Sequence, residues 1–199
     1  MTTASSALAG DKEAAIEAVV NAVAVKIEDP EEIFVAHSHV VTLEARDAPP
    51  GSEVPSYTIT DGVNDAMRMT PDWLVVGEVR TGDAAMSLFR AQMSDHPGLS
   101  TFHSESPEAA VHRLCVIMFA DVGVRFEASK SLFAQSVDLA VQLGYDHFGR
   151  RRTTEIAQVE RELKGGDVQF TTLFRLDEDR STETHPVWEK TGELTRKRR

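Results

Sequence analysis

Residues 70–83 read TPDWLVVGEVRTGD, and this stretch decides the fold class. Pro71 opens it, and Trp73, Leu74, Val75 and Val76 run without a polar break before Gly77, Glu78 and Arg80. A short continuous apolar run bounded by turn residues reads as a buried strand. In the residues that follow, GDAAMSLFRAQM (82–93), Ala85, Leu88, Phe89 and Met93 recur at helical spacing and form one stripe. A buried strand followed at once by an amphipathic helix is the repeating element of α/β sheets. The strand nevertheless ends in a carboxylate, Glu78, with an arginine two residues on, and those charges need a role.

Three further apolar segments end in polar residues: AVAVKIED (22–29), HVVTLEAR (39–46) and LSTFHS (99–104). Helical patterns stand around them. Residues 2–22 are alanine-rich with apolar positions at helical intervals, and DGVNDAMRM (61–69) starts at Asp61, an N-cap residue type. SPEAAVHRLCVIMFADV (106–122) begins with a Ser106 cap and Pro107 at the first helical position. DAPPGSEVPS (47–56) is a loop between strand and helix. This alternation predicts an α/β fold with a mainly parallel sheet.

The pattern changes after residue 125. EASKSLFAQSV (127–137) predicts a helix and DLAVQLGYD (138–146) a strand. The run from Arg150 to Asp179 reads as two strands joined at Lys164-Gly165-Gly166-Asp167, a hairpin signal. The expected organisation is one domain over residues 1–176, its C-terminal part a helix and β-hairpin region, followed by a polar, proline-interrupted tail over 177–199.

Composition narrows the function classes. The chain has 199 residues, 41% apolar and 27% charged, enough for a sizeable core. A net charge of -11 argues against direct nucleic-acid binding, which needs a basic face to displace counterions. Only the closing TRKRR (195–199) is basic, leaving a local contact with an anionic partner open. Cys115, the single cysteine, excludes an intrachain disulfide framework and falls at helical spacing with Val111, Leu114 and Met118, as a small core residue would. No signal peptide opens the sequence, and no apolar run reaches the roughly 20 residues of a membrane span. A cytoplasmic protein is expected.

Three of the apolar segments end in groups that phosphate chemistry uses: Glu28 with Asp29, then Glu78, then His103. The carboxyl ends of parallel strands line the ligand crevice of an open α/β sheet, so these residues would converge there. A carboxylate at that place holds a magnesium-bound water or orients an attacking one, while histidine and arginine meet phosphate oxygens. Singly, each residue has a plainer explanation. A strand-end glutamate is commonly a solvated terminus, a lone histidine a packed or surface residue, and Arg46 and Arg80 ordinary surface charges.

In combination the segments resemble a family. Asp-box-like VKIEDPEEIF (25–34), Walker-B-like MRMTPDWLVVGEVRTGDA (67–84) and His-box-like DHPGLSTFHSESPEAAVHRL (95–114) occur in the order found in the traffic ATPases of type II and type IV secretion and of type IV pilus assembly. LEAR after the first box and GEVR in the second are most similar to the tight-adherence (Tad/Flp) pilus and conjugation-type subgroup. The resemblance covers residues 22–145, with weaker support to residue 176.

The resemblance implies a RecA-like P-loop NTPase core, ATP and Mg2+ as ligands, and a site assigned by position. Glu28 matches the glutamate that polarises the attacking water, with Asp29 its acidic neighbour. Glu78 matches the Walker B glutamate, acting on magnesium through water or as a base. His103 matches the histidine near the γ-phosphate, and His96 a second histidine before that strand. Arg46, Arg68 and Arg80 match arginines that reach phosphates of their own or a neighbouring subunit. Implied partners are a homo-hexamer or ring with full-length homologues and inner-membrane secretion or pilus platform proteins, with the chain peripheral at the inner face of the membrane.

There are departures. No Gly-x-x-x-x-Gly-Lys-Ser/Thr run occurs in the 199 residues. MTTASSALAG resembles the start of the helix after that loop, with Met1 in place of the lysine, Thr2 in place of the magnesium-binding hydroxyl and Thr3 beside it. Thr70 and Trp73 stand where arginines are frequent, and Asp95 where glycine is usual. The expectation is a core that begins at or within its phosphate loop. Three readings stay open: an ATPase subunit whose loop lies upstream, a truncated or degenerate relative without hydrolysis, and a binding module that keeps only the fold.

Overall fold

A computed structural model describes residues 22–195, which divide into two compact units. The first holds residues 22–79 and 96–101. It is built on β1 (Ala24–Glu28), β2 (Val40–Glu44), β3 (Trp73–Val76) and β4 (Gly98–Ser100). Their order is β2-β1-β3-β4, and every neighbouring pair is parallel, as the alternation predicts. All five residues of β1 are buried, with Val25 and Ile27 fully so, because the strand is central and covered on both faces. Leu74 and Val76 of β3 are buried beside it.

Helix α1 (Ile59–Ala66) links β2 to β3, followed by a 3-10 turn over Met67–Met69. It begins earlier than the sequence suggests. Thr58, not Asp61, is the N-cap: its hydroxyl accepts the Asp61 N–H at 3.2 Å, and Asp61 Oδ2 accepts the Thr58 N–H at 2.9 Å. Asp61 therefore completes a capping box from the third helical position, a role that residue type serves as well as the cap itself. The loop over 47–56 is closed by a two-bond bridge between the backbones of Arg46 and Tyr57, at 2.8 and 2.9 Å.

The second unit holds residues 80–95 and 102–195. Its helices are α2 (Gly82–Met93), α3 (Pro107–Val122) and α4 (Phe126–Ser136). Ser106 caps α3 by accepting the Ala109 N–H at 3.1 Å, with Pro107 behind it, and left-handed Gly123 ends the helix. Leu88, Phe89, Leu114, Cys115, Met118 and Phe133 are buried, and the Phe89 and Phe133 rings meet edge to face at 6.1 Å. Burial pushes the Cys115 thiol up, consistent with a core role.

The same unit carries an antiparallel sheet of β5 (Leu139–Tyr145), β6 (Arg151–Val159), β7 (Phe170–Leu176) and β8 (Trp188–Lys190), in that order. Lys164 and Asp167 exchange backbone hydrogen bonds at 2.9 and 3.1 Å where the hairpin was expected. Gly165 and Gly166 take φ +64° and +86°, which a side chain disfavours. The polar segment after residue 177 is more ordered than its composition suggests, because β8 pairs with β7 and Trp188 Nε1 donates to Thr153 O at 2.8 Å. Farther on, the Thr195 N–H donates to Oε1 of fully buried Gln158 at 2.8 Å. Among the described residues no helix is long and apolar enough to cross a membrane.

Candidate functional site

β1 and β3 lie side by side and parallel, so Glu28, which ends β1, and Glu78, two residues beyond β3, emerge at the same edge of the sheet. The Gly77 N–H donates to Ile27 O at 2.8 Å and carries the pairing one residue past β3. Gly77 then lies against the Glu28 side chain: a Cβ there would stand 2.9 Å from Glu28 Cγ. The Val79 N–H donates to Thr101 O, and Thr101 Oγ1 donates to Gly77 O at 2.5 Å, tying the end of β3 to the end of β4. Glu78 is half-buried in this frame.

Glu28 is held more tightly than a solvated strand end. Strand periodicity puts Lys26 and Glu28 on one face of β1, and each is only 2% exposed. Lys26 Nζ lies 2.9 Å from Glu28 Oε2 and 2.6 Å from Glu31 Oε1. It also donates to Ile33 O at 2.5 Å. Glu28 Oε1 accepts the N–H groups of Glu32 at 3.2 Å and Ile33 at 2.9 Å. Residues 31–33 thereby fold back over the end of β1. Burial pushes the Glu28 carboxyl up, but the Lys26 ammonium and the two N–H groups outweigh it and hold the carboxyl below the usual range. The hydrogen bond to Glu31 raises Lys26 above its ordinary value against the burial of its ammonium.

The remaining expected site residues divide by location. Asp29 is exposed directly after Glu28, and Arg46 is exposed just beyond β2, with its Nη1 donating to Pro55 O at 3.3 Å. Both are at the carboxyl edge of the parallel sheet. His96 is not, because it precedes β4 and its Nδ1 lies 3.4 Å from Pro71 O, ahead of β3. Arg68 is exposed in the 3-10 turn before β3, also on the amino side of that strand. Arg80 and His103 belong to the second unit. There, His103 O accepts Arg113 Nη1 at 2.8 Å, and the Arg113 guanidinium stacks 5.4 Å from the Phe102 ring. Thr2 and Thr3 lie outside the described residues.

Among the described residues no group of three or more carboxylates, histidines or cysteines could hold a metal ion. Magnesium at a phosphate site takes one or two carboxylates and completes its shell with water and phosphate, so one glutamate of this edge would be enough to hold that ion. Two residues of this edge escaped the sequence reading, Lys26 and Gly77. The available signal was VKIE itself, a lysine two residues before a glutamate inside an otherwise apolar strand.

The sequence profile of the family described as Type II/IV secretion system protein matches residues 13–164. The chain belongs to this family. The secretion-family chain is 34% identical over 159 residues to an uncharacterized protein of Methanocaldococcus jannaschii, covering 79% of this chain and 56% of that protein. It is 30% identical over 158 residues to conjugal transfer protein TrbB of Rhizobium radiobacter, covering 77% and 43%. Among solved structures, the VirB11 ATPase from the Brucella suis type IV secretion system in complex with sulphate superposes with a TM-score of 0.59 at 23% identity. That superposition covers 70% of this chain and 40% of VirB11. Likeness at that identity bears on fold alone, and the fold is the expected RecA-like α/β architecture. The secretion-family chain spans about half the length of the curated relatives it matches, 56% of one and 43% of the other.

Proposed function

We propose that this chain is part of an ATPase subunit of a type II/type IV secretion or Tad-type pilus assembly system, coupling ATP hydrolysis to secretion or assembly. The observation that carries the reading is the emergence of Glu28 and Glu78 at one edge of two adjacent parallel strands, with Gly77 packed against Glu28. Glu28 would orient the attacking water, and Glu78 would hold Mg2+ through water or assist as base. His103 would meet the γ-phosphate, and Asp29, Arg46, Arg68, Arg80, His96, Thr2 and Thr3 would serve the nucleotide, some of them on a neighbouring subunit. The placement of Arg68 on the amino side of β3 supports reach toward a neighbouring subunit's nucleotide rather than its own. Bound ATP-Mg2+ would supply the electrophilic phosphorus. The subunit would act as a homo-hexamer or ring beside membrane platform proteins, at the cytoplasmic face of the membrane.

A second reading is a subunit that joins the ring without hydrolysis. It would apply if the whole subunit lacked the Gly-x-x-x-x-Gly-Lys-Ser/Thr loop, whose N–H groups and lysine cradle the phosphates. Binding of a fluorescent ATP analogue and magnesium-dependent turnover by the native polypeptide separate the two. The ATPase reading expects both, with Glu78→Gln lowering turnover by roughly 100-fold or more while binding survives. Binding without turnover selects the second reading, and no binding at all overturns the ATPase reading and leaves only a ring or interaction role.

A further inference from the structure

Beside the sheet edge lies a buried charged group that no role above uses. Lys26 is a lysine in the central strand, 2% exposed, between the fully buried apolar residues Val25 and Ile27. A buried ammonium is expensive unless it is paired and hydrogen-bonded. Here it has three partners, Glu28 Oε2 at 2.9 Å, Glu31 Oε1 at 2.6 Å and Ile33 O at 2.5 Å. Two of them belong to the segment that folds back over Glu28, and the third is Glu28 itself.

We infer that Lys26 is a positioning residue for Glu28, keeping its carboxylate charged and in one orientation at the end of β1. This rests on the reading of Glu28 as the carboxylate that orients water. A group with that task must stay ionised and must not rotate. Burial works against the first requirement, since a desolvated carboxyl tends to take up a proton. Lys26 opposes this by direct charge, and by gripping Glu31 and Ile33 O it also keeps the N–H groups of Glu32 and Ile33 aimed at Oε1. The other charged groups beside Glu28 are acidic or distal. Glu44 stands in register with it on β2, Asp29 follows it, Glu78 follows β3, and Arg46 comes two residues after Glu44. Lys26 is thus the cation in direct contact with this carboxylate, and no residue on the described part of the edge repeats its arrangement.

The test uses the native polypeptide and three variants, Lys26→Met, Lys26→Arg and the double variant Lys26→Met with Glu28→Gln. The Glu28 carboxyl is followed by carbon-detected NMR across pH, its resonance assigned by its loss in Glu28→Gln. Lys26→Met should move the Glu28 titration up by about one pH unit or more, and Lys26→Arg should restore most of it. In turnover, Lys26→Met should carry the acid limb of the pH profile up by the same interval. It should lower kcat at neutral pH by roughly tenfold while nucleotide affinity stays within about twofold. If Lys26→Met does not fold, the double variant decides. Refolding on removal of the Glu28 charge supports the pairing, and continued failure shows that Lys26 serves packing or Glu31 instead. A Glu28 titration unchanged in Lys26→Met overturns the inference. Absence of nucleotide binding in the native protein would sink the ATPase reading alone, since the NMR arm needs no nucleotide.

Discussion

Gly77 and Glu28 touch across the boundary between β3 and β1: a Cβ at Gly77 would sit 2.9 Å from Glu28 Cγ and 3.3 Å from Oε1. The glycine before Glu78 is thus a spacing requirement for Glu28. Gly77→Ala would push the Glu28 side chain off its partners, because the carboxylate is fixed by Lys26 and by two backbone N–H groups. A loss of about 1–3 kcal/mol is expected, read by urea denaturation. Amide exchange at Glu32 and Ile33 should accelerate in the same variant, and unchanged exchange there would contradict the contact.

Gly82 opens α2 against the backbone of α3. A Cβ there would stand 2.5 Å from Ile117 O and 2.8 Å from Met118 Cα, and the Gly82 N–H donates to Asp121 Oδ2 at 2.6 Å. Backbone atoms cannot rotate away as a flexible side chain can. Gly82→Ala should therefore cost about 3 kcal/mol or more, lowering the thermal midpoint by several degrees. A midpoint within error of the parent would show that the two helices separate freely.

Gln158 holds the last described residues. Its side chain is fully buried, with Nε2 donating to Glu160 Oε1 at 2.8 Å and Thr195 Oγ1 at 2.9 Å, while Oε1 accepts the Thr195 N–H at 2.8 Å. Gln158→Leu removes these bonds and leaves the Glu160 carboxylate and the Thr195 groups to find water. The expected loss is about 1–3 kcal/mol. Limited trypsin digestion followed by mass spectrometry should show earlier cleavage after Arg180 and Lys190 in the variant.

Tyr57 donates to Asp65 Oδ2 at 3.0 Å, and burial together with that carboxylate pushes its phenol up to about 12. The folded state thus favours the neutral phenol. Its contribution to stability is complete below the unfolded value of about 10 and disappears as pH rises toward 12. Tyr57 and Tyr145 are the two tyrosines of the chain, so phenolate absorbance in Tyr145→Phe reports Tyr57 alone. Asp65→Asn in that background should lower the midpoint, and an unchanged midpoint would leave burial and the Asp61 charge as the cause.

Much of the fold was legible because its signals are local. Ser106-Pro107 marks the start of α3, the apolar stripe of residues 82–93 coincides with α2, and the two glycines mark the hairpin turn. Legibility declined where two residue types serve one geometry. Asp61 suits both the N-cap and the third position of a capping box, and the choice falls to Thr58 because its hydroxyl is in place. The site was legible as an order of motifs, and the strand ends of Glu28 and Glu78 follow from it. The position of His96 was not, since its proximity to Pro71, two residues ahead of β3, depends on which strands pair.

The amino-acid sequence by itself determined the strand and helix alternation, the parallel sheet and membership of the secretion family, because periodicity, capping and motif order are properties of neighbouring residues. Only the tertiary structure decided that Glu28 is a buried, ion-paired carboxylate, that Gly77 must be a glycine, and that the segment after residue 177 adds a strand to the antiparallel sheet. Those outcomes depend on desolvation, close approach and register between chain segments up to 49 residues apart, as between Glu28 and Gly77, and no local pattern encodes them.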